Sequence, residues 1–180
     1  FNAVRFYHQA SNIPSRIPPM IKVLFVCLGN ICRSPLAEAI FNHKVQVLGL
    51  SRMFKSDSAG TSDFHIGELP DERSVQCATR KGLKISHRGR QVNRTDFRDF
   101  DYIIAMDDTN LRNLQALKNS YKFPGKEIYL MRDFVPGWKG LSVPDPYYGG
   151  DEGFEEIFQI LDESIDNFLT KIQEAHQLYA

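Results

Sequence analysis

With 180 residues, 42% of them hydrophobic, the chain is long enough to bury one substantial core and too short for two ordinary domains. Its 22 basic and 22 acidic side chains cancel, which argues against nucleic acid or an anionic membrane as the main partner. No apolar run approaches the roughly 20 residues of a spanning helix, and three cysteines, Cys27, Cys32 and Cys77, are an odd number that points away from a secreted disulfide framework and towards a reducing, cytoplasmic setting.

Residues 1–19 carry Arg5, Arg16, three prolines and no acidic residue ahead of the first periodic element. They are expected to be an extension, whether tag, leader or disordered tail, before a single domain over 20–180. Ile21 to Val26 is short, β-branched and apolar, the pattern of a strand buried on both faces. A helix is predicted after the glycine-containing turn that follows. Ser34 is placed to cap its first amides, Pro35 to take the first helical position, where its missing N–H costs nothing, and Gly49 to end it. Met53 to Ser58 is a weaker strand, and Pro70-Asp71-Glu72 opens a helix running to about Gly82. Asp101 to Met106 is another apolar strand; Asp107 to Asn110 then supply acidic and capping residues for a helix around Leu111, Leu114 and Leu117. Ile128 to Met131 is a fourth strand. Arg132 to Gly150, with three prolines and four glycines, has no periodicity and is a candidate lid. Phe154, Ile157, Phe158, Leu161, Ile165, Phe168, Leu169 and Ile172 recur at helical spacing and mark one apolar face of a last helix. Strands alternating with helices predict an α/β domain: a four-stranded parallel sheet with helices on both faces, whose ligand sites lie beyond the carboxyl ends of strands.

Cys27-Leu28-Gly29-Asn30-Ile31-Cys32-Arg33-Ser34 lies at such an end, between a buried strand and a helix N-terminus. Successive amides of a tight loop and of a first helical turn converge on one point, and the helix dipole adds partial positive charge, so a phosphate fits there. Gly29 and Asn30 are the residue types that most readily take positive φ, as a loop wrapped around an anion demands. Arg33 adds a planar fork for two phosphoryl oxygens. Donors that hold an anion also favour a thiolate, which makes Cys27 the candidate nucleophile. It would form a cysteinyl phosphate while Arg33 and the loop amides steady the equatorial oxygens, a scheme that calls for no metal and no cofactor. A cysteine six positions before an arginine is by itself a weak match, and the competing assignment makes Cys27 a small buried hydrophobe and Arg33 an exposed helix residue. Strand, glycine loop, capping serine and proline in register favour the phosphate loop.

With these motifs the chain closely resembles the low-molecular-weight protein tyrosine phosphatases. The resemblance rests on Val26 to Pro35, on Asp57-Ser58-Ala59-Gly60-Thr61, on His87 within Ser86 to Gln91, on Asp101-Tyr102-Ile103 with Met106-Asp107, and on Asp145-Pro146-Tyr147-Tyr148-Gly149. It implies a flavodoxin-like three-layer fold, phosphotyrosine-containing proteins as partners, binding of inorganic phosphate or similar oxyanions, and a monomer or weak homodimer. It also implies Asp145 as general acid, and the chemistry asks for one. A tyrosine leaving group has a pKa near 10, and a positioned acid contributes about 10² to 10⁴ in rate. Taken alone, an Asp-Pro pair is a turn former.

The same resemblance implies that Leu28, Gly29, Asn30, Ile31, Cys32 and Ser34 bind the phosphate. Phe64, Tyr147 and Tyr148 would form an apolar slot for an aromatic ring, with plain packing as the competing role of Tyr148. Asn30, Ser34, Ser58 and His87 would brace the loop through hydrogen bonds. Cys32 is implied as the redox partner of Cys27, capturing an oxidised thiolate as a reversible disulfide. Three other functions compete. An arsenate reductase on this fold is disfavoured because only Cys77 lies outside the loop, with no second relay cysteine. A phosphoarginine phosphatase has threonine where this chain has Ile31. A binding module without catalysis would need neither Cys27 nor Asp145.

Overall fold

The computed structural model describes residues 19–178, so the extension expected over 1–19 lies outside the described residues save for Pro19. The apolar run after Met20 forms β1 (Ile21–Cys27), which occupies the inside of a parallel sheet. On one side it pairs along its whole length with β2 (Phe54–Gly60), from Ile21 opposite Phe54 to Cys27 opposite Gly60. On the other it pairs with β3 (Tyr102–Ala105), which in turn carries β4 (Ile128–Leu130), giving the order β2-β1-β3-β4. The chain leaves β1 in one direction and returns past it in the other. The carboxyl end of β1 is therefore the point at which a parallel sheet opens a crevice.

Side chains of β1 alternate between two cores, as the period of a strand requires. Val23, Phe25 and Cys27 face α1 (Arg33–Val47) and α5 (Asp151–His176), while Leu24 and Val26 join Phe97, Phe100 and Leu114 from the layer of α3 (Arg94–Asp99) and α4 (Asp108–Ser120). Of the periodic face read in the last helix, Phe154, Ile157, Leu161, Ile165, Phe168, Leu169 and Ile172 are all at most 2% exposed, and Phe158 is partly buried against them. Among the described residues, no helix is long and apolar enough to cross a membrane.

Four local expectations need correction. The first helix begins at Arg33, its N-cap is Cys32, and no side chain caps it, because the Ser34 hydroxyl is engaged by the Cys27 sulfur instead. Pro35 is consequently the third helical residue; it still lies in the first turn, where amides have no intrahelical acceptor. Sequence periodicity also missed α3. This short helix is specified by a reciprocal capping box between Asn93 and Asp96 and by one buried ring, Phe97. Finally, the 132–150 stretch is not a free lid. It opens with a 3₁₀ turn (Met131–Phe134), buries Val135 and Val143, and is tied to the sheet by the Val143 N–H on the Met106 carbonyl at 2.7 Å.

Phe41 on α1 joins the layers, its ring 5.5 Å from Phe25, 5.6 Å from Phe54 and 6.1 Å from Phe168. Phe41→Ala is expected to cost about 3–5 kcal/mol, read as a lowered urea midpoint. A loss below about 1 kcal/mol would show that this ring does not knit the sheet to its helices.

Candidate active site

At the end of β1 the backbone turns through residues 28–32 into α1, and the Cys27 side chain, 2% exposed, sits at the base of that turn. The Asn30 amide N–H points at its sulfur at 3.3 Å and the Ser34 hydroxyl lies 3.0 Å away. Asn30 donates from its side-chain nitrogen into the same Ser34 oxygen at 2.9 Å, and the serine hydrogen has two acceptors to turn to, the sulfur at 3.0 Å and the Ala59 carbonyl at 3.4 Å. Of the two residues expected at positive φ, only Asn30 adopts it, at 57°. A side chain at Gly29 would press on the His65 ring, which would have to shift, since a Cβ there would stand 2.8 Å from it. Gly60 is under a similar demand, since its Cβ would meet the Leu28 carbonyl at 2.7 Å.

Asn30 is fully buried and uses every bonding position of its amide. Its nitrogen also donates to Ser58 at 3.0 Å; its oxygen accepts the Arg90 N–H at 2.9 Å and lies 2.7 Å from His87 Nε2. The brace continues outward. Ser58 donates to Glu38 at 2.7 Å, and His87 Nδ1 stands 3.4 Å from Glu38 and 3.7 Å from Asp57. Burial pushes the Glu38 carboxyl up to about 7, with the Asp57 charge adding to the effect against Ser58 and Arg90. Burial lowers His87, opposed by Asp57 and helped by Arg90. Glu38, Asp57 and His87 are close enough together to hold a cation. Their atoms are already committed, however, to Ser58, to Asn30 and, at 2.9 Å, to Arg90, as a hydrogen-bonded support would require.

Arg33 is 2% exposed. One terminal nitrogen donates to Asp107 at 2.7 Å and to the Val143 carbonyl at 3.0 Å; the other reaches Asp145 at 3.1 Å. Burial works against its charge, but Cys27, Asp145 and Asp107 outweigh it and keep the guanidinium above its ordinary pKa. Asp107 serves twice, because its second oxygen caps α4 at the Asn110 N–H, 2.7 Å away. The cap is what the sequence suggested; the ion pair depends on β3 ending beside β1 and had no local signal.

A cavity of about 340 Å³ opens over the sulfur. Cys27, Leu28, Gly29, Ile31, Cys32 and Arg33 form its floor; Phe64, His65, Asp145, Tyr147 and Tyr148 form its walls. Asn30 and Ser34, expected among the phosphate-binding residues, do not line it, and their side chains belong to the brace behind it. His65 is a wall residue that sequence reasoning missed. A larger hollow, about 560 Å³, lies between Leu69, Val75, Ile85, Ser86 and His87, and no cysteine lines it. Cys32 shares the smaller cavity and, like Cys27 and Cys77, is a free thiol. Burial, with the charges of Asp71, Cys27 and Asp145 adding to it, raises the Cys32 thiol far above its ordinary pKa, so it is protonated. Cys77 is wholly buried in the helical core.

A sheet of this topology with a cysteine, a buried arginine and a carboxylate around one concavity defines a class: α/β proteins built to hold a tetrahedral oxyanion over a thiol. The family model described as low molecular weight phosphotyrosine protein phosphatase matches residues 22–178. The human low molecular weight phosphotyrosine protein phosphatase is 47% identical over 137 residues, 76% of this chain and 86% of that protein. Among solved structures, a protein tyrosine phosphatase from Entamoeba histolytica with Hepes in its active site superposes with a TM-score of 0.79 at 41% identity, covering 86% of this chain and 98% of that one. A Drosophila arginine phosphatase superposes with a TM-score of 0.80 at 38% identity, covering 85% and 98%. The chain belongs to the low molecular weight phosphotyrosine protein phosphatase family.

The brace behind the loop makes stability depend on pH. Since Glu38 titrates near 7 when folded and near 4.5 otherwise, the unfolded chain releases its proton first as pH rises, and the native protein loses stability across that window. Glu38→Gln keeps an acceptor for Ser58 and removes this titration. Its stability relative to wild type is expected to grow as pH rises from about 4.5 to about 7 and then to level off, in urea unfolding at a series of pH values. Parallel pH curves for the two proteins would contradict the assignment.

Proposed function

We propose that this chain hydrolyses phosphotyrosine in proteins, with Cys27 as nucleophile, Arg33 as phosphate ligand and Asp145 as general acid. The observation that carries this is the single cavity in which a sulfur, a buried guanidinium and a half-exposed carboxylate face one another beneath aromatic walls. A phosphate dianion entering it meets the second terminal nitrogen of Arg33, which in the free protein is held by Asp145 at 3.1 Å. The substrate takes over that donor, and the carboxyl group is released towards the leaving oxygen. Cys27 attacks phosphorus, the bond to the phenolic oxygen breaks, and Asp145 supplies the proton. Asp145 then removes a proton from the water that attacks the cysteinyl phosphate, giving inorganic phosphate and the free thiolate. Ser34, bonded to the sulfur, favours the thiolate in both its attack and its departure.

Tyr147, 42% exposed, and Tyr148, 95% exposed, pack edge to face at 5.1 Å, and with Phe64 they suit a planar ring deep enough for a phenyl phosphate. Cys32 is the thiol in the same cavity that would condense with an oxidised Cys27, releasing water and forming a disulfide. Three free thiols suit a cytoplasmic protein, acting as monomer or weak homodimer. The likeness to an arginine phosphatase gives a second reading, against which the aromatic walls and Ile31 weigh.

Cys27→Ser is expected to abolish turnover, and phosphotyrosine to be cleaved in preference to phosphoserine and phosphoarginine when the three are assayed side by side. Asp145→Ala is expected to lower kcat by about 10² to 10⁴ for phosphotyrosine and far less for an ester with an acidic leaving group. A uniform loss across a leaving-group series would remove Asp145 as the acid, and faster hydrolysis of phosphoarginine would install the second reading.

A further inference from the structure

The loop that bears Asp145 is exposed at residues 147–150, yet its backbone is gripped from outside the site. Arg73, in the first turn of α2 (Glu72–Arg80), donates from one terminal nitrogen to the Gly149 carbonyl at 2.9 Å and from the other to the Tyr147 carbonyl at 3.1 Å. Its remaining edge is clamped by Asp71, with Nε 3.0 Å from one carboxylate oxygen and the second terminal nitrogen 2.8 Å from the other. The guanidinium also stands over two rings, 4.8 Å from Phe154 and 5.8 Å from Tyr147. On its opposite side the same turn is bolted to the nucleophile loop: the Asp71 N–H donates to the Ile31 carbonyl at 2.8 Å and the Ser74 hydroxyl to the Cys32 carbonyl at 3.0 Å. One fork therefore connects the loop that carries the sulfur with the loop that carries the acid.

We propose that Arg73 is a positioning residue for Asp145, latching the acid loop to the nucleophile loop without touching substrate. The proposal rests on Asp145 being the general acid. Two backbone carbonyls, 147 and 149, fix the chain just after Asp145, and the Asp145 carboxylate itself accepts the Tyr147 N–H at 3.1 Å, so a shift of this turn displaces the acid directly. Lysine could replace the charge but not the fork, which binds Asp71 and both carbonyls at once. An error of about 1 Å in a catalytic group costs on the order of 10²-fold in rate; here it would fall on proton transfer, while the accompanying shift of the Tyr147 wall would touch all aryl esters alike.

The test compares kcat and KM of wild type, Arg73→Ala, Arg73→Lys, Asp145→Ala and the Arg73→Ala/Asp145→Ala double variant on aryl phosphates from nitrophenyl to tyrosyl, with thermal melts as a check on folding. Arg73→Ala is expected to lower kcat on phosphotyrosine by about 10- to 100-fold and to change kcat on nitrophenyl phosphate by less than about threefold, with any rise in KM the same for both esters. Arg73→Lys should fall between and, if the alanine variant does not fold, carries the comparison. Once Asp145 is alanine, removing Arg73 should cost nothing further. A loss equal across leaving groups, or one that persists undiminished without Asp145, would make Arg73 merely structural and overturn the proposal. A leaving-group series that is flat for Asp145→Ala would instead overturn the acid assignment, and the latch with it.

Discussion

Arg33 carries a positive charge where almost no water reaches it, and an unpaired buried ion costs several kcal/mol. The surroundings are arranged to meet that cost. Asp107 and the Val143 carbonyl hold one terminal nitrogen permanently, each from an element whose own position is fixed: Asp107 by capping α4, Val143 by its bond to the end of β3. The other nitrogen is shared with Asp145, whose side chain is 45% exposed and so the easier of the two partners to displace. A guanidinium fixed on one side and loosely countered on the other is a receptor for a second anion. In the proposed reaction that second anion is the phosphate carried over Cys27.

The loop around that charge is held in an unfavourable conformation by polar rather than apolar contacts. Asn30 at positive φ, buried, with all four amide bonds made, forces the turn that aims its own N–H at the sulfur. Behind it the chain of Ser58, Glu38, His87, Asp57 and Arg90 lets the loop rest on a support able to exchange a proton near neutral pH. Because the network is buried and fully connected, loss of one member leaves another unsatisfied, so its parts act together rather than additively.

What the sequence disclosed was mostly what is local. The alternation of β1, the helical face of α5, and the register of cysteine, arginine and the following helix are consequences of neighbouring residues, and they fixed both the sheet and the floor of the cavity. The resemblance supplied Asp145, Tyr147 and Tyr148, which lie more than a hundred positions away. Roles that depend on packing were misread or unseen. Ser34 has the chemistry of a cap but is claimed by a sulfur; Gly29 was credited with a positive φ that it does not adopt; Asp107 showed its cap and hid its ion pair. Arg73 gave no local signal, because the carbonyls it holds come from the far end of the chain.

The most direct measurement traps the covalent intermediate. Asp145→Ala, slowed at the attack of water, would be mixed with an aryl phosphate whose leaving group is acidic, quenched within one turnover, and digested for mass spectrometry. The expected result is a phosphoryl group on the peptide containing Cys27, absent when Cys27 is serine. A phosphoryl group on any other residue, or continued turnover in the serine variant with no labelled peptide, would contradict a sulfur nucleophile in the Arg33 cavity.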